Sequence, residues 1–292
     1  CHTAQGEFRH SCRSYQNNTL SRMASLPPPP VTPLDVLLQV GHPSSTPTPR
    51  HDATTLLKTA PLCNWGICGT GRICNDFVQA LKSIPSARFV SVAARSSLPS
   101  AQSFASKHSS PSLPPPRAYG SYAELATDPD VSIVYVGSVH VFRLSHAKMF
   151  LEAGKHLLLE KPVALSGGDA REIFDLAKAK GLMVSEGMWT YYFPAVEYMR
   201  NILSSPNNLG RVVSVSSDFH FPAAQQEDPM SSPLYSLPLA GGAGYYAGCY
   251  PVAAAVAVLG PPDDVKAAGV VDAGKGIDVC GAVSMSWQGA EG

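Results

Sequence analysis

Residues 65–73 read WGICGTGRI, a short apolar segment that runs directly into a glycine turn. The apolar residues predict a buried strand, and residues 72–84 after the turn predict a helix. Gly69 permits the tight turn, and Gly71 lets a pyrophosphate approach the N-terminus of the helix. Cys74 stands at the third position of the pattern, where a small residue keeps strand and helix close. With a strand before it and a helix after it, the pattern predicts a dinucleotide-binding turn.

A second stretch, AGKHLLLEKP at residues 153–162, is an apolar strand that ends in a lysine followed by a proline. Around these two stretches, apolar segments predict strands at residues 89–94, 131–137 and 182–185, and amphipathic segments predict helices at residues 98–108, 144–153 and 166–180. Apolar strands that alternate with helices indicate a parallel sheet covered on both faces. Lys161 comes at the carboxyl end of its strand, the edge where ligands bind in such sheets.

The chain divides into three predicted regions. Residues 1–62 are rich in proline, serine and threonine and predict a disordered leader of low complexity. Residues 63–187 predict an N-terminal Rossmann domain, which is a doubly wound parallel sheet. After residue 210 the pattern changes to alternation, with strands expected at 212–221, 265–271 and 279–287. Residues 188–292 therefore predict an α+β domain with an open, largely antiparallel sheet, which we expect to be incomplete at its C-terminal end.

Composition narrows the possible classes of function. The chain of 292 residues has 22 basic and 22 acidic side chains and no net charge, which argues against nucleic acid as a partner. No apolar run approaches the ~20 residues of a membrane span, so we expect no membrane association. The seven cysteines form no CxxC pair and predict buried thiols rather than a metal site. We expect a cytoplasmic protein, although the arginines of the leader leave an organellar targeting signal open. Because the chain begins with cysteine rather than methionine, we expect a fragment or a processed product.

The end of the predicted second strand indicates which cofactor would bind. An NAD site needs an acidic residue about 20 residues after the glycine turn, to bind the ribose hydroxyls. This chain has Arg95 and Ser96 there and no acid. A guanidinium binds phosphate oxygens through two parallel hydrogen bonds, so the pair favours the 2′-phosphate of NADP over NAD. The alternative is an ordinary surface arginine.

Several motifs together resemble one enzyme family. They are WGI at 65–67, GxGxI at 69–73, VAARS at 92–96, YGSYxEL at 119–125, EKP at 160–162 and ExMWTxxFP at 186–194. This set is similar to the Gfo/Idh/MocA oxidoreductases, which are named after glucose–fructose oxidoreductase and inositol dehydrogenase. Within the family the likeness is greatest to the dimeric dihydrodiol dehydrogenases and the fungal NADP-dependent D-xylose dehydrogenases.

The resemblance implies roles for particular residues. Lys161 would be the catalytic lysine, and Tyr250 would hold the position of the acid–base residue. The implied cofactor-binding residues are Gly69, Thr70, Gly71, Arg72, Ile73, Arg95, Ser96, Ser138, His140, Glu160, Lys161 and Pro162, with His140 beside the nicotinamide. The implied substrate pocket consists of Trp189, Tyr191, Phe193 and Tyr246. No metal is expected. The resemblance also implies a homodimer where the second domain is complete.

The chain departs from the family pattern in three places. Tyr191 and Tyr192 stand where an arginine is usual, Arg143 stands where a histidine is expected, and Tyr246 replaces a carboxylate. The expected activity is NADP-dependent hydride transfer from a sugar such as D-xylose, or from a vicinal diol. Two alternatives stay open, namely a non-catalytic nucleotide-binding sensor and an inactive gene fragment.

Overall fold

A six-stranded parallel sheet forms the first part of the structure. The computed structural model describes residues 62–95, 97–203, 206–222 and 232–287, so nearly all of the predicted leader and Ser96 lie outside the described residues. The strands are β1 (Cys63–Cys68), β2 (Ala87–Ala93), β3 (Arg117–Tyr119), β4 (Ile133–Val136), β5 (His156–Glu160) and β6 (Val184–Gly187). Their order is β3-β2-β1-β4-β5-β6, and each neighbouring pair is parallel. The order changes direction between β1 and β4, where ligands bind in doubly wound sheets.

Five helices connect these strands and cover both faces of the sheet. They are α1 (Arg72–Leu81), α2 (Leu98–His108), α3 (Tyr122–Ala126), α4 (Arg143–Glu152) and α5 (Gly167–Ala179). Successive side chains of a strand point to opposite faces, and both faces are apolar here. Val134 and Leu157 pack with Phe150 of α4 on one face, while Ile67 and Val78 pack on the other. The predicted parallel sheet is confirmed.

The chain then continues into helical turns and a two-stranded antiparallel sheet. The elements are a 3-10 turn at Trp189–Tyr192, α6 (Pro194–Leu203), α7 (Pro206–Leu209), a π-helical turn at Gly244–Gly248, α8 (Cys249–Leu259), β7 (Asp264–Val271) and β8 (Asp278–Ser286). β7 pairs with β8 and is exposed along its whole length. The small antiparallel sheet agrees with the predicted open sheet.

The strand expected at 212–221 does not form in the described residues. That segment has no regular secondary structure, and the alternating Val213 and Phe219 are both exposed. A strand needs a hydrogen-bonded neighbour, and no described residue pairs with this segment. Alternation predicts which side chains would share a face of a strand, but it does not predict whether a partner strand is present. The strand prediction was therefore wrong.

One apolar segment is longer than the sequence pattern suggested. The helical stretch Leu237–Leu259 has 23 residues and is long and apolar enough, by length and composition, to cross a membrane. The expectation that no run approaches this length is therefore wrong, because it counted only the unbroken apolar residues 252–259. Core helices of soluble proteins can have the same length and composition.

Candidate active site

The glycine turn lies at the carboxyl end of β1 and opens onto the N-terminus of α1. Gly69 has φ of 118°, a conformation that side chains rarely adopt, and its N–H donates to the Ala93 carbonyl over 2.9 Å. A Cβ placed on Gly71 would meet nothing within 4 Å. The space in front of the helix is therefore open, as an approaching phosphate requires. Cys74 is fully buried, and a Cβ on Gly137 would overlap its sulfur.

An open groove of about 720 Å³ extends from this turn to α2. Its lining residues are Thr70, Gly71, Arg72, Asn75, Pro99, Ser100, Ser103, Phe104 and Lys107. The set contains two cations and no carboxylate, and the side chain of Arg72 is almost fully exposed. The open cradle at Gly71 and this basic lining fit the phosphates of a dinucleotide.

Arg95 lies two residues beyond the end of β2, the strand that pairs with β1. Its guanidinium carbon lies 5.5 Å from the centre of the Phe142 ring. The side chain is exposed at the carboxyl edge of the sheet, and Ser96 lies outside the described residues. The preference of this pair for NADP stays a prediction.

Ile73, another of the implied cofactor-binding residues, is 41% exposed in the first turn of α1.

Lys161 directly follows β5, and both its backbone N–H and its ammonium make hydrogen bonds within the protein. Glu160 accepts hydrogen bonds from the Tyr135 hydroxyl at 2.7 Å and from the Lys161 N–H at 3.2 Å. The Lys161–Pro162 peptide bond is cis. The Lys161 ammonium donates to the backbone carbonyl of Tyr246 over 2.8 Å. This contact joins the Rossmann sheet to the π-helical turn 85 residues further along the chain.

Tyr250 lies against Lys161. The ammonium nitrogen is 4.6 Å from the centre of the Tyr250 ring. The Tyr250 hydroxyl accepts a hydrogen bond from Trp189 Nε1 at 2.8 Å. Because an indole N–H only donates, it occupies a lone pair of the phenol oxygen and leaves the phenolic proton free for another partner. Lys161, Tyr250 and Trp189 therefore form one connected group.

Exposed aromatic rings surround this group. Trp189 is 53% exposed, and Phe193 meets its ring edge-on at 5.3 Å between centroids. Phe219 lies 4.9 Å from Tyr250 with the rings tilted by 32°. Sequence reasoning did not include Phe219 in the site. Its alternation with Phe221 was a signal of an apolar face, but nothing local connected it to Tyr250.

Two tyrosines of the expected pocket do not direct their hydroxyls to Lys161. The Tyr191 hydroxyl donates to the Ala253 carbonyl over 3.1 Å and so braces α8. Tyr246 contacts Lys161 through its backbone carbonyl, and its ring meets His140 edge-on at 5.1 Å. Burial raises the pKa of both hydroxyls, which keeps them protonated.

His140 and Ser138 are engaged within the protein. His140 is 5% exposed and is joined through Nε2 to the Ala240 carbonyl over 2.9 Å, so that nitrogen carries the proton. Burial lowers the pKa of His140, which favours a neutral ring near pH 7. The Ser138 hydroxyl shares a 2.8 Å hydrogen bond with His146. His140 therefore joins the loop after β4 to the turn before the π-helix.

The fold and this arrangement agree with a known family. Residues 63–188 match the model of the Gfo/Idh/MocA oxidoreductase family, described as having an NAD-binding Rossmann fold. Residues 63–188 are thus similar to the Gfo/Idh/MocA family. This confirms the family prediction and the nicotinamide class of cofactor, while leaving NAD and NADP open.

Three relatives of the chain share one name. It is 35% identical over 235 residues to trans-1,2-dihydrobenzene-1,2-diol dehydrogenase of Xenopus laevis, covering 77% of the chain and 66% of the relative. It is 36% identical over 229 residues to the Danio rerio protein of that name, covering 77% and 65%. With the Homo sapiens protein it shares 39% identity over 142 residues, which cover 48% and 41%. The chain thus spans just under two thirds of the frog and fish relatives.

Two solved structures share the fold of this chain. A 3-ketoreductase from Actinomadura kijaniata, in complex with NADP and TDP-benzene, superimposes with a TM-score of 0.66 at 24% identity, covering 75% of this chain and 65% of that one. GenD2 from gentamicin A biosynthesis, in complex with NAD, gives 0.64 at 20% identity, covering 83% and 65%. At these identities the likeness shows the fold.

Proposed function

We propose that the chain is an NADP-dependent oxidoreductase that oxidises a CH–OH group of a vicinal diol or sugar, with Lys161 and Tyr250 beside the reacting hydroxyl. The observation that carries the proposal is the position of the Lys161 ammonium. It lies at the carboxyl edge of β5, the edge that also carries the glycine turn, and 4.6 Å from the Tyr250 ring. The family match supports a dehydrogenase at this edge.

The residues around Lys161 leave it chemically available. An ammonium carries three N–H donors, and the Tyr246 carbonyl takes one of them. The remaining donors can bind a substrate hydroxyl and stabilise the negative charge that develops on its oxygen. A bound nicotinamide supplies the acceptor for the hydride. Oxidation also releases the proton of the substrate hydroxyl. The Tyr250 oxygen, which accepts from Trp189 through one lone pair, can take up that proton through the other while the phenolic proton passes to water, so that one proton reaches solvent for each hydride transferred.

The aromatic rings next to Tyr250 indicate a ring-shaped substrate. Trp189, Phe193 and Phe219 are all more than 40% exposed, and two of them contact Tyr250. Flat apolar surfaces of this kind favour cyclic ligands with an apolar face. The frog and fish relatives are named for a diol on a six-membered ring. We therefore place a cyclic vicinal diol first and a sugar such as D-xylose second.

The preference for NADP depends on charge at the carboxyl end of β2. Arg95 replaces the acid that an NAD site uses there, and Arg72 and Lys107 add positive charge to the groove that leads from the glycine turn. These cations would stabilise the 2′-phosphate dianion of NADP. The ribose hydroxyl of NAD would find no carboxylate at residues 95 and 96.

The test combines binding and turnover. NADP and NAD are titrated against the chain while tryptophan fluorescence is followed, and trans-1,2-dihydrobenzene-1,2-diol or D-xylose is then added while absorbance at about 340 nm reports reduced cofactor. Tighter binding of NADP with turnover of the diol is expected. Absence of nucleotide binding by the folded chain would refute the proposal.

A second candidate, a non-catalytic nucleotide-binding sensor, has one observation in its favour. Tyr246 stands where the family has a carboxylate, and its carbonyl holds the Lys161 ammonium. Binding of NADP without turnover of any diol or sugar, together with a ligand-dependent change in fluorescence, would support this candidate.

A further inference from the structure

The turn that carries Lys161 is held from beneath by charged side chains. The Lys161 N–H donates to Glu160 at 3.2 Å, and the Val163 N–H donates to Glu186 at 2.8 Å. The carbonyl between them, that of Pro162, accepts a hydrogen bond from Arg143 at 3.4 Å. Successive backbone groups of the turn are therefore each bound to an ionisable side chain, so the direction of the lysine depends on those side chains.

Arg143 connects this turn to a second loop. It is the first residue of α4, is 2% exposed, and donates through its other terminal nitrogen to the Ser138 carbonyl at 2.7 Å. One rigid guanidinium thus bridges the loop after β4 and the turn after β5. Its rigid planar fork of donors fixes the direction of both hydrogen bonds, whereas a lysine ammonium sits on a flexible stem.

Arg143 is buried, although arginine side chains are seldom fully buried. Burial lowers the pKa of its guanidinium, and the nearby Glu160 opposes this effect. Its Nε has no hydrogen-bond partner among the described residues. An unpaired buried donor destabilises a fold, so the position of this guanidinium depends on the two carbonyls that it binds. Glu186 lies near Arg143. Burial raises the pKa of Glu186, and the charge of Arg143 partly offsets this effect.

We propose that Arg143 is a positioning residue that fixes the Lys161 turn so that the ammonium faces the Tyr246 carbonyl and the Tyr250 ring. The inference deepens the proposed function and rests on it for the catalytic consequence. It assigns a role to an arginine at a position where the sequence resemblance leads one to expect a histidine.

The first test measures the position of Lys161 without any turnover. The native chain is labelled with trinitrobenzenesulfonate, and the rate at each lysine is read by peptide mass spectrometry in the wild type, Arg143→Met and Arg143→Lys. Losing one constraint worth a typical hydrogen bond is expected to raise labelling of Lys161 about fivefold in Arg143→Met, with a smaller rise in Arg143→Lys.

Lys155 provides the internal reference for this measurement. It is 7% exposed, and its ammonium donates to the carbonyls of Asp128 and Val131, away from the Lys161 turn. A rise at Lys161 with no change at Lys155 supports the positioning role. No change at Lys161, or an equal rise at both lysines, overturns it. Should Arg143→Met not fold, Arg143→Lys retains the charge beside Glu160 and Glu186 and decides by the same criterion.

The second test separates positioning from binding. In Arg143→Met, kcat for the diol is expected to fall between about tenfold and a hundredfold, while KM and the Kd for NADP change less than threefold, because misplacing a catalytic group affects mainly the transition state. Arg171→Met, an exposed substitution on α5, is the matched control and should leave all three unchanged. An equal loss of kcat in both variants, or a change in Kd alone, would contradict the proposal. A wild type without turnover refutes the proposed function, while the labelling result still decides the role of Arg143.

Discussion

Replacing Lys161 by methionine tests the proposed chemistry most directly. Methionine keeps most of the length and apolar character of the lysine stem and removes only the ammonium. The structure shows two contacts of that ammonium, the 2.8 Å hydrogen bond to the Tyr246 carbonyl and the approach to within 4.6 Å of the Tyr250 ring. Neither contact involves a residue of the glycine turn or of the groove beside it.

These contacts predict a small loss of stability. A hydrogen bond from a charged donor contributes about 1.5–3 kcal/mol, and partial exposure of Lys161 brings the expected loss toward about 1 kcal/mol. For a folded unit of this size, such a loss lowers the Tm by roughly 2–4 °C. A fall of that size leaves the variant folded at assay temperature, so its activity can be measured.

The expected loss of activity is much larger. Removing a preorganised donor from a developing oxyanion costs about a hundredfold to a thousandfold in kcat, or roughly 2.7–4 kcal/mol. We therefore expect kcat for the diol to fall at least a hundredfold in Lys161→Met, with the Kd for NADP within threefold of the wild type. Activity is followed by reduced-cofactor absorbance and binding by tryptophan fluorescence.

A matched lysine controls for the loss of charge. Lys148 lies on the exposed side of α4, where it pairs with Glu172, and Lys148→Met should retain full activity. A kcat in Lys161→Met within threefold of the wild type would refute the reasoning. So would a loss of NADP binding large enough to account for the lost activity, because Lys161 would then act as a binding residue.

Other parts of the structure yield three further predictions. Gly137→Ala should weaken binding of NADP and of NAD at least tenfold in the fluorescence titration, because the new methyl overlaps the buried Cys74 sulfur and displaces the glycine turn. Asp128→Asn should lower the free energy of unfolding in urea by about 2–3 kcal/mol at pH 7, since it breaks the ion pair of a fully buried carboxylate with Arg117. Burial opposes ionisation of Asp128, but the hydrogen bonds that the carboxylate accepts outweigh burial and lower its pKa. The stabilisation by Asp128 is therefore present above about pH 4 and is lost as the pH falls further. Asp128→Asn should flatten this dependence of stability on pH. Arg95→Ala should raise the Kd for NADP about tenfold or more and leave that for NAD within twofold; equal effects on both would contradict a 2′-phosphate contact.

Local patterns in the sequence predicted the Rossmann sheet closely. The apolar runs of β1, β4 and β5 and the glycine turn between Gly69 and Gly71 need only near neighbours to specify them. Two short elements, β3 and α3, were not predicted. The second had a visible signal, since Ser121 and Glu124 form a capping box at its start.

The sequence by itself determined the class of fold, the family and the position of Lys161 at a strand end. Tertiary structure alone decided what surrounds that lysine. The Trp189–Tyr250 hydrogen bond spans 61 residues, and the His140–Ala240 bond spans 100. Propensity and periodicity act within a turn or a strand, whereas such contacts depend on how distant elements pack. For this reason Tyr191 was predicted to line the substrate pocket, whereas in the fold its hydroxyl donates a hydrogen bond to α8. The hydrogen bonds by which Arg143 connects the loop after β4 to the Lys161 turn likewise depend on β4 and β5 being neighbours in the sheet.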